Sequence, residues 1–401
     1  MNTLEMTRIK NLKTGMTNGG WCYDSHPYLE SLDAKKTIEI ATIEGPAVIK
    51  CIHIVKHEIT DFLGKRRKYV PRGIVLLIYY NDKKNPAVEV PLADFFCDGL
   101  NGKTDCFSNI FFENGPGSYN CYIEMPFEKS CRICLRNDTP FNIMSYSYVE
   151  YEELEKWDSS LGYFHATYNR IPFKLKEDTL LELFKLEGCS GHILGRQLSI
   201  STNERIFSGF TYIMEGNTEI RIDTNDASIH QGLYKMGEGP DYDYLGTECF
   251  FGCAWGWSKY IGNKLGCTYY ESLDLFKLLR KDFSAHSRNY KIGEDYSSDI
   301  NETVKRVLLS LKDLRKKNTL SQLSTYRFFY PNVIRFSQSI DWRINWIHEF
   351  SHDSFRPYKD MLKDIAKDKR RLNVDFAEVM YWYQNIIGYD HAKLPTYENR
   401  I

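Results

Sequence analysis

No run in this 401-residue chain approaches the roughly 20 continuous apolar residues that a membrane-spanning helix needs, so the sequence offers none. An excess of one charge sign is missing as well. Lys and Arg number 52 against 53 Asp and Glu, a formal net charge of −1, so no global field draws the chain to nucleic acid or to an anionic membrane. The opening residues, MNTLEMTRIK, contain no apolar signal region, and the 11 cysteines are odd in number and lack the spacing of a disulfide framework. Together these features predict reduced thiols in a cytoplasmic protein.

Metal and redox motifs are sparse. Cys131-Arg132-Ile133-Cys134 has C-x-x-C spacing, but it sits in an apolar, strand-like run without a second pair to complete a zinc site. His348-Glu349-Phe350-Ser351-His352 fits H-E-x-x-H, which on a helix presents two zinc ligands and a general base. Just before it, however, Ile340, Trp342, Ile344 and Trp346 alternate with Asp341, Arg343 and Asn345. The motif therefore starts at the end of a strand, where positions four apart are separated by more than about 10 Å. No metal and no cofactor is expected. The basic stretch at 363–371 is interrupted by Asp364 and Asp368 and reads as a solvated helix face, not a nucleic-acid contact.

What the chain has in quantity is aromatic side chains, 14% of residues with 28 Tyr and 7 Trp, which can fill cores or wall a sugar site. Short apolar runs separated by Gly, Pro, Asn and Asp follow one another at 41–57, 73–82, 87–96, 118–127, 129–138, 144–154 and 163–173. This pattern predicts an all-β fold of tandem antiparallel jelly-roll β-sandwiches. The boundary is expected between 155 and 175, giving domains 1–160 and 161–401, after an irregular arm that runs through 18–26. Asp299 to Glu302 reads as a capping box ahead of a helical face built on Ile300, Val304, Val307, Leu308, Leu311 and Leu314. Helical insertions are accordingly expected near 264–322 and 355–372.

Two glutamates stand out. Glu215 follows the hydrophobic run Phe210 to Met214 and precedes Gly216, where a strand enters a turn; Glu248 lies between Gly246-Thr247 and Cys249-Phe250-Phe251. Between them Ile220, Ile222 and Thr224 alternate with Glu219, Arg221 and Asp223, so the two acids are expected on successive strands. An acid among aromatic side chains is costly to ionise and suits general-acid work, whereas a strand-closing acid facing solvent would have no such role.

The segments GPAVIKCIHI, IYYNDKKNPAVEVPLADFF, YNCYIEMPFEKSCRI, YFHATYNR, EGNTEIRIDT with ASIH, GTECFFGCAW, YRFFYPNVIRF and YWYQ occur in order. Together they resemble a family once classed as a domain of unknown function and later recognised as glycoside hydrolases. Its members include α-D-fructofuranosidases, difructose-dianhydride synthase/hydrolases and exo-acting D-arabinofuranosidases. The resemblance implies tandem jelly rolls assembled as trimers or hexamers, and retaining chemistry on furanosides. It places the catalytic pair at Glu215, in an EGD-like motif, and at Glu248, in a GTGTED-like motif. Glu215 is read as nucleophile and Glu248 as acid/base. Trp21, His165 and His230 are the substrate-binding candidates. The chain departs from the family pattern at Asn217 and Cys249, each standing where an Asp is usual, and in a longer loop between His230 and Gly246. The alternative on the same scaffold is a non-catalytic carbohydrate-binding or assembly protein.

Overall fold

The computed structural model describes residues 7–19, 29–60, 66–69, 71–102, 104–175, 179–202, 213, 216–223, 240–244, 246–253, 257–271, 321–346, 372–388 and 393–400. Alternating apolar strands bury one face each, and the chain solves this by stacking sheets in pairs. Among the described residues an eight-stranded sheet centres on Ala47–Val55, flanked by Ile143–Glu153 and Ser118–Cys121. A longer, eleven-stranded sheet carries Thr37–Glu44, Ser130–Asn137, Ile74–Tyr80 and Val88–Pro91 at one end. It continues through Tyr163–Leu175, Leu372–Gln384, Gly191–Thr202, Ser321–Phe328 and Leu265–Glu271. The two halves of this sheet meet where Val88 and Glu89 pair with Ala166 and Thr167, a parallel contact among otherwise antiparallel ladders.

The long sheet packs into two cores, and its second half contributes to both: Phe164, Phe328, Val379 and Tyr381 fall in the first with the eight-stranded sheet. Ile49, Ile52 and Phe112 of the eight-stranded sheet pack with Leu76, Ile78 and Ile133 of the long sheet in one cluster. In the second cluster Ile220, Ile340, Trp342 and Ile344 come from a four-stranded sheet and pack on Leu198, Ile200, Phe376, Met380 and Trp382. That small sheet runs Leu180–Glu187, Ser339–Asn345, Asn217–Ile222, Tyr242–Tyr244. The fold is thus all-β, with tandem jelly-roll sandwiches sharing one long sheet.

Several local expectations need correction. Part of the expected irregular arm is a strand: Thr14–Gly19 pairs in full with Ser147–Glu152. Residues 87–96 are not one strand, because Pro91 ends the ladder and Leu92–Phe95 turn into a short helix whose side chains are all buried. At the borders of the two expected helical insertions stand strands, Leu265–Glu271 and Leu372–Gln384, the latter filling the centre of the long sheet. The remainder of both insertions, 272–320 and 355–371, lies outside the described residues. Cys131 and Cys134 are both buried on one strand but join different clusters, separated by a register shift after Ile133. No helix among the described residues is long and apolar enough to cross a membrane.

Candidate active site

The site is built on the small sheet of the second sandwich. Asn217–Ile222 lies between the Ser339–Asn345 strand and the short edge strand Tyr242–Tyr244. Thr218 and Ile220 are fully buried on its core side, which leaves Asn217, Glu219 and Arg221 on the opposite face. Gly216, just ahead of this strand, is required by close approach. A Cβ there would stand 2.6 Å from the Trp346 ring and 2.9 Å from Ile344 Cδ1.

Glu248 is reached from the edge strand through Gly246, whose φ of 77° is a conformation that favours glycine. Here the strand expectation fails. Glu248 sits in a single helical turn, Thr247–Phe250, closed by Phe250 N–H to Gly246 O at 3.1 Å and Phe251 N–H to Thr247 O at 3.2 Å. The reason is packing. A turn points the adjacent phenylalanines at different neighbours: Phe250 meets Trp342 and Tyr244 edge-on at 5.8 and 5.1 Å, while Phe251 meets Trp257 at 6.3 Å. Glu248 is 7% exposed, and the Cys249 thiol donates to its Oε1 at 3.4 Å.

Two hydrogen bonds join the flanks of the two glutamates. Thr247 Oγ1 donates to Gly216 O at 3.0 Å, and Gly246 N–H donates to Asn217 Oδ1 at 3.1 Å. Asn217, which replaces the usual Asp of the resembling family, thereby fastens one motif to the other. Glu215 itself, Trp21 and His230 lie outside the described residues, as do His348, Glu349 and His352. The bonds nevertheless bring the residue after Glu215 against the residue before Glu248.

His165 is elsewhere. It is fully buried in the long sheet, stacked on Trp382 at 5.3 Å, with Nδ1 2.9 Å from Tyr163 O and Nε2 accepting from Gly388 N–H at 3.3 Å. These are the surroundings of a satisfied core histidine rather than of a sugar contact. Among the described residues no group of three or more His, Cys, Asp or Glu is arranged to hold a metal ion.

Sequence reasoning missed the support beneath the Glu248 turn. Arg196, on the long sheet, is fully buried, pairs with Glu378 at 2.7 Å, and holds its guanidinium 5.8 and 5.7 Å from the Phe250 and Phe251 rings. Burial raises the Glu378 carboxyl above its ordinary value while Arg196 pulls it back. Arg327 lies 4.9 Å from the Phe250 ring and donates to Phe250 O at 2.5 Å. No local motif advertises an Arg or Glu in mid-strand as a prop. The usable signal was their presence in otherwise apolar, central strands.

The search of curated proteins finds no match. Among solved structures, the major capsid protein P2 from bacteriophage PM2 is 7% identical, covering 93% of this chain and 98% of that one with a TM-score of 0.38. A structure of Sulfolobus turreted icosahedral virus is 10% identical, covering 95% and 92% with a TM-score of 0.34. The all-β fold is defined by the sheets described above. Residues 9–145 match the family model described as GH172 domain-like, a segment that ends before both glutamates, and over that segment the chain is similar to the glycoside hydrolase family that its motifs resemble.

Proposed function

We propose that the chain is an exo-acting, retaining glycoside hydrolase of furanosides, of the α-D-fructofuranoside or D-arabinofuranoside type. Glu215 attacks the anomeric carbon and Glu248 protonates the leaving oxygen, then activates water for the second displacement. No metal or cofactor takes part. The observation that carries this reading is the pair of hydrogen bonds from Thr247 to Gly216 and from Gly246 to Asn217, which draws the two acid-bearing segments together. Burial of Glu248 behind an aromatic wall suits a group that must hold a proton for the leaving group. Trp21 and His230 are the binding partners proposed for the sugar, while His165 serves the sheet. We further propose a homo-oligomer, trimer or hexamer, working in the cytoplasm, with its two domains dividing near residue 160.

A panel of p-nitrophenyl furanosides and pyranosides tests this directly. The expected result is turnover of a furanoside that falls by about 10²-fold or more in a Glu248→Gln variant, the scale of lost general-acid catalysis. Sugar binding without turnover for every compound would instead support the non-catalytic reading of the scaffold.

A further inference from the structure

We propose that Arg221 anchors an anionic group, a carboxylate or phosphate, on the ligand of this site, so that the substrate class is an acidic glycoside. The proposal rests on the functional reading above and narrows it. Arg221 shares the outer face of its strand with Asn217 and Glu219, and it is only 6% exposed. Its Nη2 is wholly buried without a hydrogen-bond partner, and among the described residues no ion pair or ring contact engages the side chain. A buried guanidinium that has lost its water is stabilised by a counter-charge.

Among the described residues, three carboxylates near Arg221 are engaged elsewhere, while a fourth, Asp243, stands across from Glu219 and makes no ion pair with Arg221. Asp341, its cross-strand partner, receives Arg343 through Nε at 3.0 Å and also through Nη2. Glu219 accepts from Asn345 Nδ2 at 2.6 Å, and Asp241 accepts the Ile222 N–H at 2.7 Å. The neutral Asn217 adds no counter-charge and is itself turned to Gly246. What remains is the Nη2 donor of a guanidinium, the group that pairs with the oxygens of a carboxylate or phosphate.

The edge strand beside this face is exposed at Asp241, Tyr242 and Asp243. Four residue steps lead from Asn217, tied to the Glu248 turn, to Arg221, about 13 Å at the rise of a β-strand. That span fits a short oligosaccharide with its charge away from the bond to be cut, and exceeds a single furanose.

The test is calorimetric titration of the full chain with matched pairs: digalacturonate against galactobiose for the carboxylate, sucrose 6-phosphate against sucrose for the phosphate, and inorganic phosphate alone. One charged sugar is expected to bind at least tenfold more tightly than its neutral counterpart. Arg221→Gln should abolish that preference and Arg221→Lys should keep part of it. The wild-type comparison stands even if a variant fails to fold. Equal binding of charged and neutral sugars, an undiminished preference in Arg221→Gln, or inorganic phosphate binding as tightly as the sugars would each overturn the proposal. Charge preference without turnover of any furanoside would leave this inference standing and remove the hydrolase reading; turnover of neutral furanosides without charge preference would do the reverse.

Discussion

Replacing Thr247 by Val removes one hydroxyl at nearly constant volume, and the structure says what that hydroxyl holds. Thr247 is fully buried, and its Oγ1 donates to the carbonyl of Gly216, itself buried, at 3.0 Å. Valine leaves that acceptor without its donor, a loss of about 1–3 kcal/mol once the desolvation of an unpaired group is counted. The functional cost should be larger than the stability change alone implies, because the bond ties the segment after Glu215 to the turn that carries Glu248. A displacement of about 1 Å between catalytic groups can lower turnover by about 10²-fold. Urea denaturation should therefore show a lowered midpoint, and furanoside turnover should fall mainly in kcat. Thr247→Ser, which keeps the hydroxyl, should lie close to wild type on both. A Val variant with wild-type stability and turnover, or a Ser variant as damaged as Val, would refute the claim that this bond joins the two motifs.

Gly216→Ala forces a methyl into the Trp346 ring, and should cost about 1–3 kcal/mol in chemical denaturation as overpacking does; an unchanged midpoint would show that the ring yields freely. Glu378→Ala strands a fully buried Arg196 and should destabilise by about 3–5 kcal/mol, whereas the double Arg196→Met, Glu378→Leu variant should recover most of this. Equal damage in both would mean that packing, not charge, governs the pair. Acid should weaken the fold through His57, 2% exposed, which burial pushes down from 6.5 to about 4. Its folded form resists a proton that the unfolded chain accepts, so this contribution is present above pH 6.5 and lost as pH falls toward 4, at most about 3 kcal/mol. A His57→Gln variant losing stability over that window as steeply as wild type would contradict it.

The fold was legible where a face is buried on one side only. Period-two alternation in SIDWRIN places Ile340, Trp342 and Ile344 in the core, and all three are fully buried there. The same pattern reads correctly from Thr218 to Ile222. It fails at Glu248, because a Gly-Thr-Glu-Cys-Phe-Phe run carries no period to separate a strand from one helical turn; the choice is made by Trp342, Tyr244 and Trp257, whose positions no local pattern relates to the turn. Alternation likewise assigns Glu219 and Arg221 to the outer face but says nothing of cover, and that face is buried here. The pairing of Asn217 with Gly246 was equally hidden, since a contact 29 residues apart leaves no local trace.

The central claim, that Glu215 and Glu248 act as nucleophile and acid/base of a retaining furanosidase, is tested most directly by the configuration of the product when azide rescues each alanine variant. Proton NMR of the glycosyl azide formed from an activated furanoside should show inversion with Glu215→Ala and retention with Glu248→Ala. Retention with Glu215→Ala would reverse the two roles, and undiminished hydrolysis in either variant without azide would contradict the assignment of the site.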